Sequence, residues 1–164
     1  MSAMPHPVSR EQAVPQAGAL PLRGLPRAAA PRGTAITYGT YDLFHVGHVR
    51  LFQRIKQRHD FLIVAVSTDG FNAVKGKKSV MPFADRLELV RSCRFVDLAI
   101  AEDGWEQKES DIATYAVDAF YMGDDWQGRF DHLRALCDVH YLARTEGVSS
   151  TLLKQDVVAA RSPR

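Results

Sequence analysis

From residue 34 onward, short β-branched or wholly apolar runs alternate with longer stretches whose apolar residues recur at helical spacing. Ala35-Ile36-Thr37-Tyr38 predicts a strand over about 35–38, and Val49, Phe52 and Ile55 predict a helix over about 46–58. Phe61 to Val66 is apolar throughout, the pattern of a strand buried on both faces. Ser67-Thr68-Asp69-Gly70 closes it, and a polar loop, Lys75-Gly76-Lys77-Lys78, follows. Phe83, Leu87, Val90 and Arg94 space a second helix, and about 96–101 reads as a strand. Asp103-Gly104 breaks the chain, and Trp105 to Ala116 predicts a third helix with Ile112 and Tyr115 inward. A strand over 119–122 ends at Gly123-Asp124-Asp125, and Phe130, Leu133 and Leu136 suggest a helix over about 129–137. Val139 to Leu142 is a fifth strand, and Ser149 or Ser150 caps a last helix carrying Leu152, Leu153 and Val157. Strands alternating with helices make a parallel sheet with right-handed crossovers. The expected class is α/β: a Rossmann-like, doubly wound sheet of about five parallel strands with helices on both faces.

Residues 1–33 break this pattern. They hold six of the eight prolines and no apolar periodicity, and read as a disordered Pro/Ala/Arg-rich tail. Residues 34–160 form the expected domain, and 161–164 a short C-terminal tail. The net charge of +2 divides unevenly: the first 33 residues carry +3, leaving −1 for the rest, which argues against a nucleic-acid-binding face. No apolar run approaches the ~18 residues of a membrane span, and the N-terminus lacks the apolar core of a secretory signal. Cys93 and Cys137 fit no metal or redox spacing and read as small buried hydrophobes in a reducing compartment. The expected location is the cytoplasm.

The chemistry concentrates at the first strand-to-helix turn, Tyr38 to His48. An open α/β sheet binds its ligand outside the carboxyl ends of the strands. His45 and His48, three apart, share one face of a helical turn, and Gly47 between them lets a phosphate approach the backbone. Helix N-termini favour anions. The turn therefore suits a nucleoside triphosphate, with two histidines at the reacting phosphate, where phosphate charge would raise their pKa values. Zinc is the competing use of the pair; it needs a third ligand, which Asp42 can supply. His6, His59, His132 and His140 read as surface or tail groups. No GxGxxG follows the first strand, which disfavours a nicotinamide enzyme. Lys75 and Lys77 are either a phosphate clamp or a solvated charge run. Of Asp124 and Asp125, only one is expected to face the site. Arg144 to Thr151 leaves the fifth strand and enters a helix, so its arginine, hydroxyls and N–H groups can hold phosphates, cap the helix, or both. Arg86 and Arg94 read as ion-pairing or dimer residues, with Arg94 within reach of the site.

Gly39-Thr40-Tyr41-Asp42 with His45-Val46-Gly47-His48, and Arg144-Thr145-Glu146-Gly147-Val148-Ser149-Ser150-Thr151, resemble the GTFD…HxGH and RTEGIST signatures of the cytidylyltransferase-like nucleotidyltransferases. Ser67-Thr68-Asp69, Lys75-Gly76-Lys77-Lys78, Trp105-Glu106-Gln107-Lys108 and Met122 to Trp126 resemble its bacterial glycerol-3-phosphate cytidylyltransferase branch, over about residues 35–158. The departures are mild: Tyr41 for Phe, and Val-Ser-Ser for Ile-Ser-Thr. The resemblance implies CTP and sn-glycerol 3-phosphate as substrates, CDP-glycerol and diphosphate as products, a homodimer, and supply of an envelope polymer such as teichoic acid or a capsule; Mg²⁺ is expected with any triphosphate. It implies catalytic roles for His45, His48, Lys77 and Arg144. Nucleotide contacts would add Gly39, Thr40, Asp125, Thr145, Glu146, Gly147, Val148, Ser149, Ser150 and Thr151. Asp69, Lys75 and Lys108 would take the acceptor. The metal's ligands are not readable. The residues alone fix a triphosphate rather than the base, so another acceptor, ATP, or a non-catalytic nucleotide-binding protein stay open.

Overall fold

The computed structural model describes residues 32–161. The expectations for residues 1–31 and 162–164 lie outside the described residues. At the start of the described chain, the backbone N–H of Arg32 donates to Asp60 Oδ2 at 2.7 Å, and its guanidinium donates to the Gln57 carbonyl at 2.6 Å.

Five parallel strands, β1 (Thr34–Gly39), β2 (Phe61–Ser67), β3 (Leu98–Glu102), β4 (Ala119–Gly123) and β5 (Asp138–Leu142), stand in the order β3-β2-β1-β4-β5. β1 is central: Ile36 is opposite Ile63 on one side and Phe120 on the other. The chain winds outward from β1 in one direction, then returns to β4. The crevice between the carboxyl ends of β1 and β4 is thus the topological switch point, where such sheets bind ligands. Alternate residues of the sheet feed two cores. Leu62, Val64 and Val66 pack with Phe52 and Ile55 of helix α1 (Val46–Lys56) and Val90 of α3 (Phe83–Arg91). Ile63 and Ala65 face the opposite side, with Ile112 of α4 (Gln107–Thr114), Phe130 and Leu133. Phe52 and Ile55 are fully buried, each worth about 1.5–3 kcal/mol of apolar transfer. Cys93 and Cys137 are free, and each packs beside one of the two cores. Among the described residues no helix is long and apolar enough to cross a membrane.

Two elements differ from the sequence reading. The segment expected only as a turn after β2 contains a short helix, α2 (Asp69–Val74). Thr68 Oγ1 caps it by accepting from the Phe71 N–H at 3.2 Å, and six residues are too few for periodicity to register. The helix expected over 129–137 is instead a 3₁₀ turn, Asp131–Ala135, preceded by another, Asp124–Trp126. Gly128, at φ +82°, separates them, and the 130/133/136 spacing is the three-residue period of a 3₁₀ turn. Leu133 is buried there, whereas Leu136 is 53% exposed. Helix α5 (Ser150–Arg161) follows β5. Ser149 caps it, with Oγ accepting from the Leu152 N–H at 3.1 Å, and Ser150 Oγ donates to the Asp42 carbonyl at 2.6 Å.

Candidate active site

The turn between β1 and α1 is strained and then fixed. Tyr41 (φ +53°) and Leu43 (φ +48°) adopt the left-handed conformation without being glycine, at about 1–2 kcal/mol each. Asp42, between them, is buried and holds the turn by accepting from the N–H groups of Val80 (2.9 Å) and Met81 (3.0 Å) and from Lys154 Nζ (2.8 Å). Burial alone would raise its pKa; Lys154 and the two N–H groups outweigh that and hold it below the usual carboxylate range. These bonds occupy the oxygens that zinc would need, and the described residues contain no group of three metal-ligating side chains.

His45 is the N-cap of α1. The Gly47 N–H donates to His45 Nδ1 at 3.1 Å, and the His45 N–H donates to His48 Nδ1 at 3.4 Å. Each Nδ1 is an acceptor, so each neutral ring carries its proton on Nε2. The rings stack with centroids 3.8 Å apart, and Tyr41 and Phe44 enclose His48. Burial, then the charge of His45, pushes His48 down to about 3; burial also lowers His45. In the free protein both are therefore neutral Nε2–H donors; the charged pair expected at a phosphate requires the phosphate to be there. A Cβ on Gly47 would lie 2.8 Å from the His45 ring and 3.0 Å from Val148. Glycine at this position is what permits the stacked pair.

The two histidines line a cavity of about 460 Å³ over the switch point. Thr40, Lys77, Arg144, Thr145, Val148, Ser149, Ser150 and Thr151 line it with them, as do Arg54, Lys78 and Lys154, which the sequence did not single out. Arg54 donates from Nη2 to the Ala143 carbonyl at 2.9 Å. Arg144 Nη2 pairs with Asp125 Oδ2 at 2.6 Å, so Asp125 is the acid of the Asp124-Asp125 pair that reaches this wall. Glu146 and Gly147 sit in the same loop without lining the cavity.

A second, smaller cavity of about 50 Å³ opens beside the first, and Thr40 and Lys77 line both. Gly39, Lys75 and Lys108 line this one, with Tyr38, Trp105 and Trp126 as aromatic walls. Glu102, the last residue of β3, which the sequence reading missed, lines it too. It is 2% exposed and accepts from Lys108 Nζ at 2.6 Å and from Ser67 Oγ at 2.5 Å, with Lys75 Nζ at 3.6 Å. Burial lowers the pKa of Lys75, opposed by Glu102. Asp69 lines neither cavity. Its oxygens accept from Arg86 Nη2 at 2.6 Å and the Phe83 N–H at 2.9 Å. Arg86 is fully buried and also donates to the carbonyls of Thr40, Ser67 and Met81, tying three loops of the site together. Arg94 lies over the Phe95 ring and lines neither cavity.

A family model described as cytidylyltransferase-like matches residues 36–156. The chain is 52% identical to a glycerol-3-phosphate cytidylyltransferase of Staphylococcus aureus, over 74% of this chain and 92% of the relative. It is 49% identical to one of Bacillus subtilis, over 74% of this chain and 95% of the relative. The fold is similar to that of a lipopolysaccharide core biosynthesis protein of Thermoplasma volcanium (TM-score 0.58, 22% identity, 69% of this chain and 98% of that one). The chain belongs to the cytidylyltransferase-like family.

Proposed function

We propose that the protein is a glycerol-3-phosphate cytidylyltransferase, converting CTP and sn-glycerol 3-phosphate to CDP-glycerol and diphosphate. The observation that carries this is the pair of adjoining cavities: a large one with two Nε2–H donors and a helix N-terminus, and a small one with the buried Lys108 and the half-buried Lys75, meeting at Thr40 and Lys77. About 50% identity to enzymes of that name, over nearly their whole length, supports the choice of base and acceptor.

In this reading CTP lies in the large cavity and the acceptor phosphate in the small one. An acceptor oxygen attacks the α-phosphorus in line, and the bond from that phosphorus to the bridging oxygen breaks, releasing diphosphate. The acceptor phosphate is already anionic at neutral pH, so no general base is required. The work left is to hold two anions together and stabilise charge on the transferring phosphoryl group. His45 and His48 donate from Nε2 to that group, and Lys77, on both cavities, bridges the two phosphates. Arg144, Thr145 and the start of α5 around Ser149 to Thr151 receive the outer phosphates, with Asp125 orienting Arg144. Lys75 and Lys108 receive the acceptor. Asp42, the carboxylate lining the large cavity, is already engaged by three donors and is not free to hold Mg²⁺; a Mg²⁺ entering with the triphosphate would neutralise leaving-group charge. The protein would act in the cytoplasm and supply an envelope polymer such as teichoic acid or a capsule. It would act as a homodimer, the state that the resemblance to the glycerol-3-phosphate cytidylyltransferase branch implies.

The test is diphosphate release with CTP or ATP against glycerol 3-phosphate, ribitol 5-phosphate and phosphoethanolamine, with and without EDTA. Release is expected with CTP and glycerol 3-phosphate only, and only with Mg²⁺. Release with ATP alone, or none at all, overturns the assignment.

A further inference from the structure

Lys108 is an unusual neighbour for a small-ligand pocket. It sits in the first turn of α4, is 2% exposed, and its one hydrogen bond among the described residues is to Glu102 Oε1 at 2.6 Å. Its ammonium lies over three rings, 4.4 Å from the centroid of Tyr38, 5.1 Å from Trp105 and 5.5 Å from Phe130. These walls are held in place. Tyr38 donates to Asp111 at 2.8 Å, Trp105 and Phe130 stack at 6.5 Å, and Ser67 fixes Glu102. Three aromatic faces and one carboxylate around a cation are the chemistry by which proteins recognise an organic ammonium ligand. Here the cation is the chain's own.

We propose that Lys108 is a specificity-determining residue: its ammonium occupies an aromatic cage that would otherwise accept the ammonium head of an amino-alcohol phosphate, and so restricts the acceptor to a neutral polyol phosphate. The proposal rests on the small cavity being the acceptor site, as argued above. With Lys108 seated, a choline or ethanolamine head meets a like charge and finds the rings and the carboxylate already used. A glycerol hydroxyl meets no such conflict, because it can accept from Lys108 and donate to Glu102. Selection thus comes from a repulsive group as much as from an attractive one.

The test is Lys108→Ala in the full chain, with kcat/KM measured by diphosphate release at saturating CTP for glycerol 3-phosphate, phosphoethanolamine and phosphocholine. Emptying the cage is expected to lower efficiency with glycerol 3-phosphate and to shift the ratio of either ammonium ester to it by about tenfold or more, with an absolute gain for at least one. A second readout is independent of turnover. Tetramethylammonium chloride should raise the Tm of the variant relative to sodium chloride at equal ionic strength, and leave the wild type unmoved. If the single variant does not fold, Lys108→Ala with Glu102→Gln removes both buried charges and is measured in the same way. Loss of glycerol 3-phosphate turnover with no gain for either ammonium ester and no tetramethylammonium effect overturns the proposal. Absence of wild-type turnover with glycerol 3-phosphate overturns the function instead, and leaves the tetramethylammonium measurement to decide the cage.

Discussion

Acid should destabilise the free protein through His48, and His48→Asn should remove most of that sensitivity. Burial and the stacked His45 lower the imidazole from 6.5 to about 3. The folded state therefore refuses a proton that the unfolded chain accepts. The favourable contribution is fully present above pH 6.5 and is lost as pH falls toward 3. At about 1.36 kcal/mol per pH unit, the full window is worth up to about 5 kcal/mol, and the part lost by pH 4 about 3 kcal/mol. Asparagine keeps an oxygen that can accept from the His45 N–H but does not titrate. Urea midpoints at pH 7 and pH 4 check this: the wild type should lose about 3 kcal/mol more than His48→Asn between the two. Bound triphosphate reverses the balance. One unit of phosphate charge about 4 Å away, at an effective dielectric of about 20, contributes about 4 kcal/mol, or roughly three pH units. CTP binding should then be accompanied by proton uptake that grows as pH falls from 7.5 to 6, measurable by calorimetry in two buffers of different ionisation enthalpy. Parallel acid limbs for wild type and variant, or a His48 ring that titrates near 6.5 in the free protein by NMR, would refute the reasoning.

Three further outcomes follow from the same geometry. His45→Ala and His48→Ala should each lower kcat by at least ~10²–10³ with circular dichroism unchanged, because each removes a donor to the transferring phosphoryl group; near-normal turnover in either sinks that role. Arg86→Met should cost at least about 3 kcal/mol in urea unfolding, since it strands the carbonyls of Thr40, Ser67 and Met81 at ~1–3 kcal/mol each. Lysine should not rescue it, having no planar fork to reach all three. Gly47→Ala should lower kcat more than tenfold, at most modestly changing Tm, as the added methyl displaces the His45 ring and leaves the buried core untouched; unchanged kcat would show that the stacked arrangement is not needed.

What the sequence made legible is what short-range physics controls. β2 reads directly because a run buried on both faces has to be apolar, and the polar Asp60 before it and Ser67 at its end mark its limits. The histidine turn reads because three-residue spacing on a helix fixes which side chains are neighbours, and the structure stacks those two rings. Glu102 was hidden by its own strand. In Leu98-Ala99-Ile100-Ala101-Glu102 it looks like the polar end of an edge strand, and only the β2–β3 register, which sets Glu102 opposite Ser67, brings it against Lys75 and Lys108. The available signal was its place at a strand's carboxyl end, where ligands bind in this class of sheet. Asp69 shows the converse. The resemblance implied an acceptor contact for it, yet Arg86, a residue 17 positions later on a different helix, takes up its carboxylate. Protonation is the least legible property, because the charge on His48 depends on Tyr41, Phe44 and His45 closing over it rather than on any spacing. The same holds for Lys108: a lysine in the first turn of a helix looks solvated, and its role depends on three rings drawn from β1, the turn before α4 and the segment between the two 3₁₀ turns. Long-range packing therefore decides the electrostatics of both cavities, while local pattern decides where on the sheet those cavities lie.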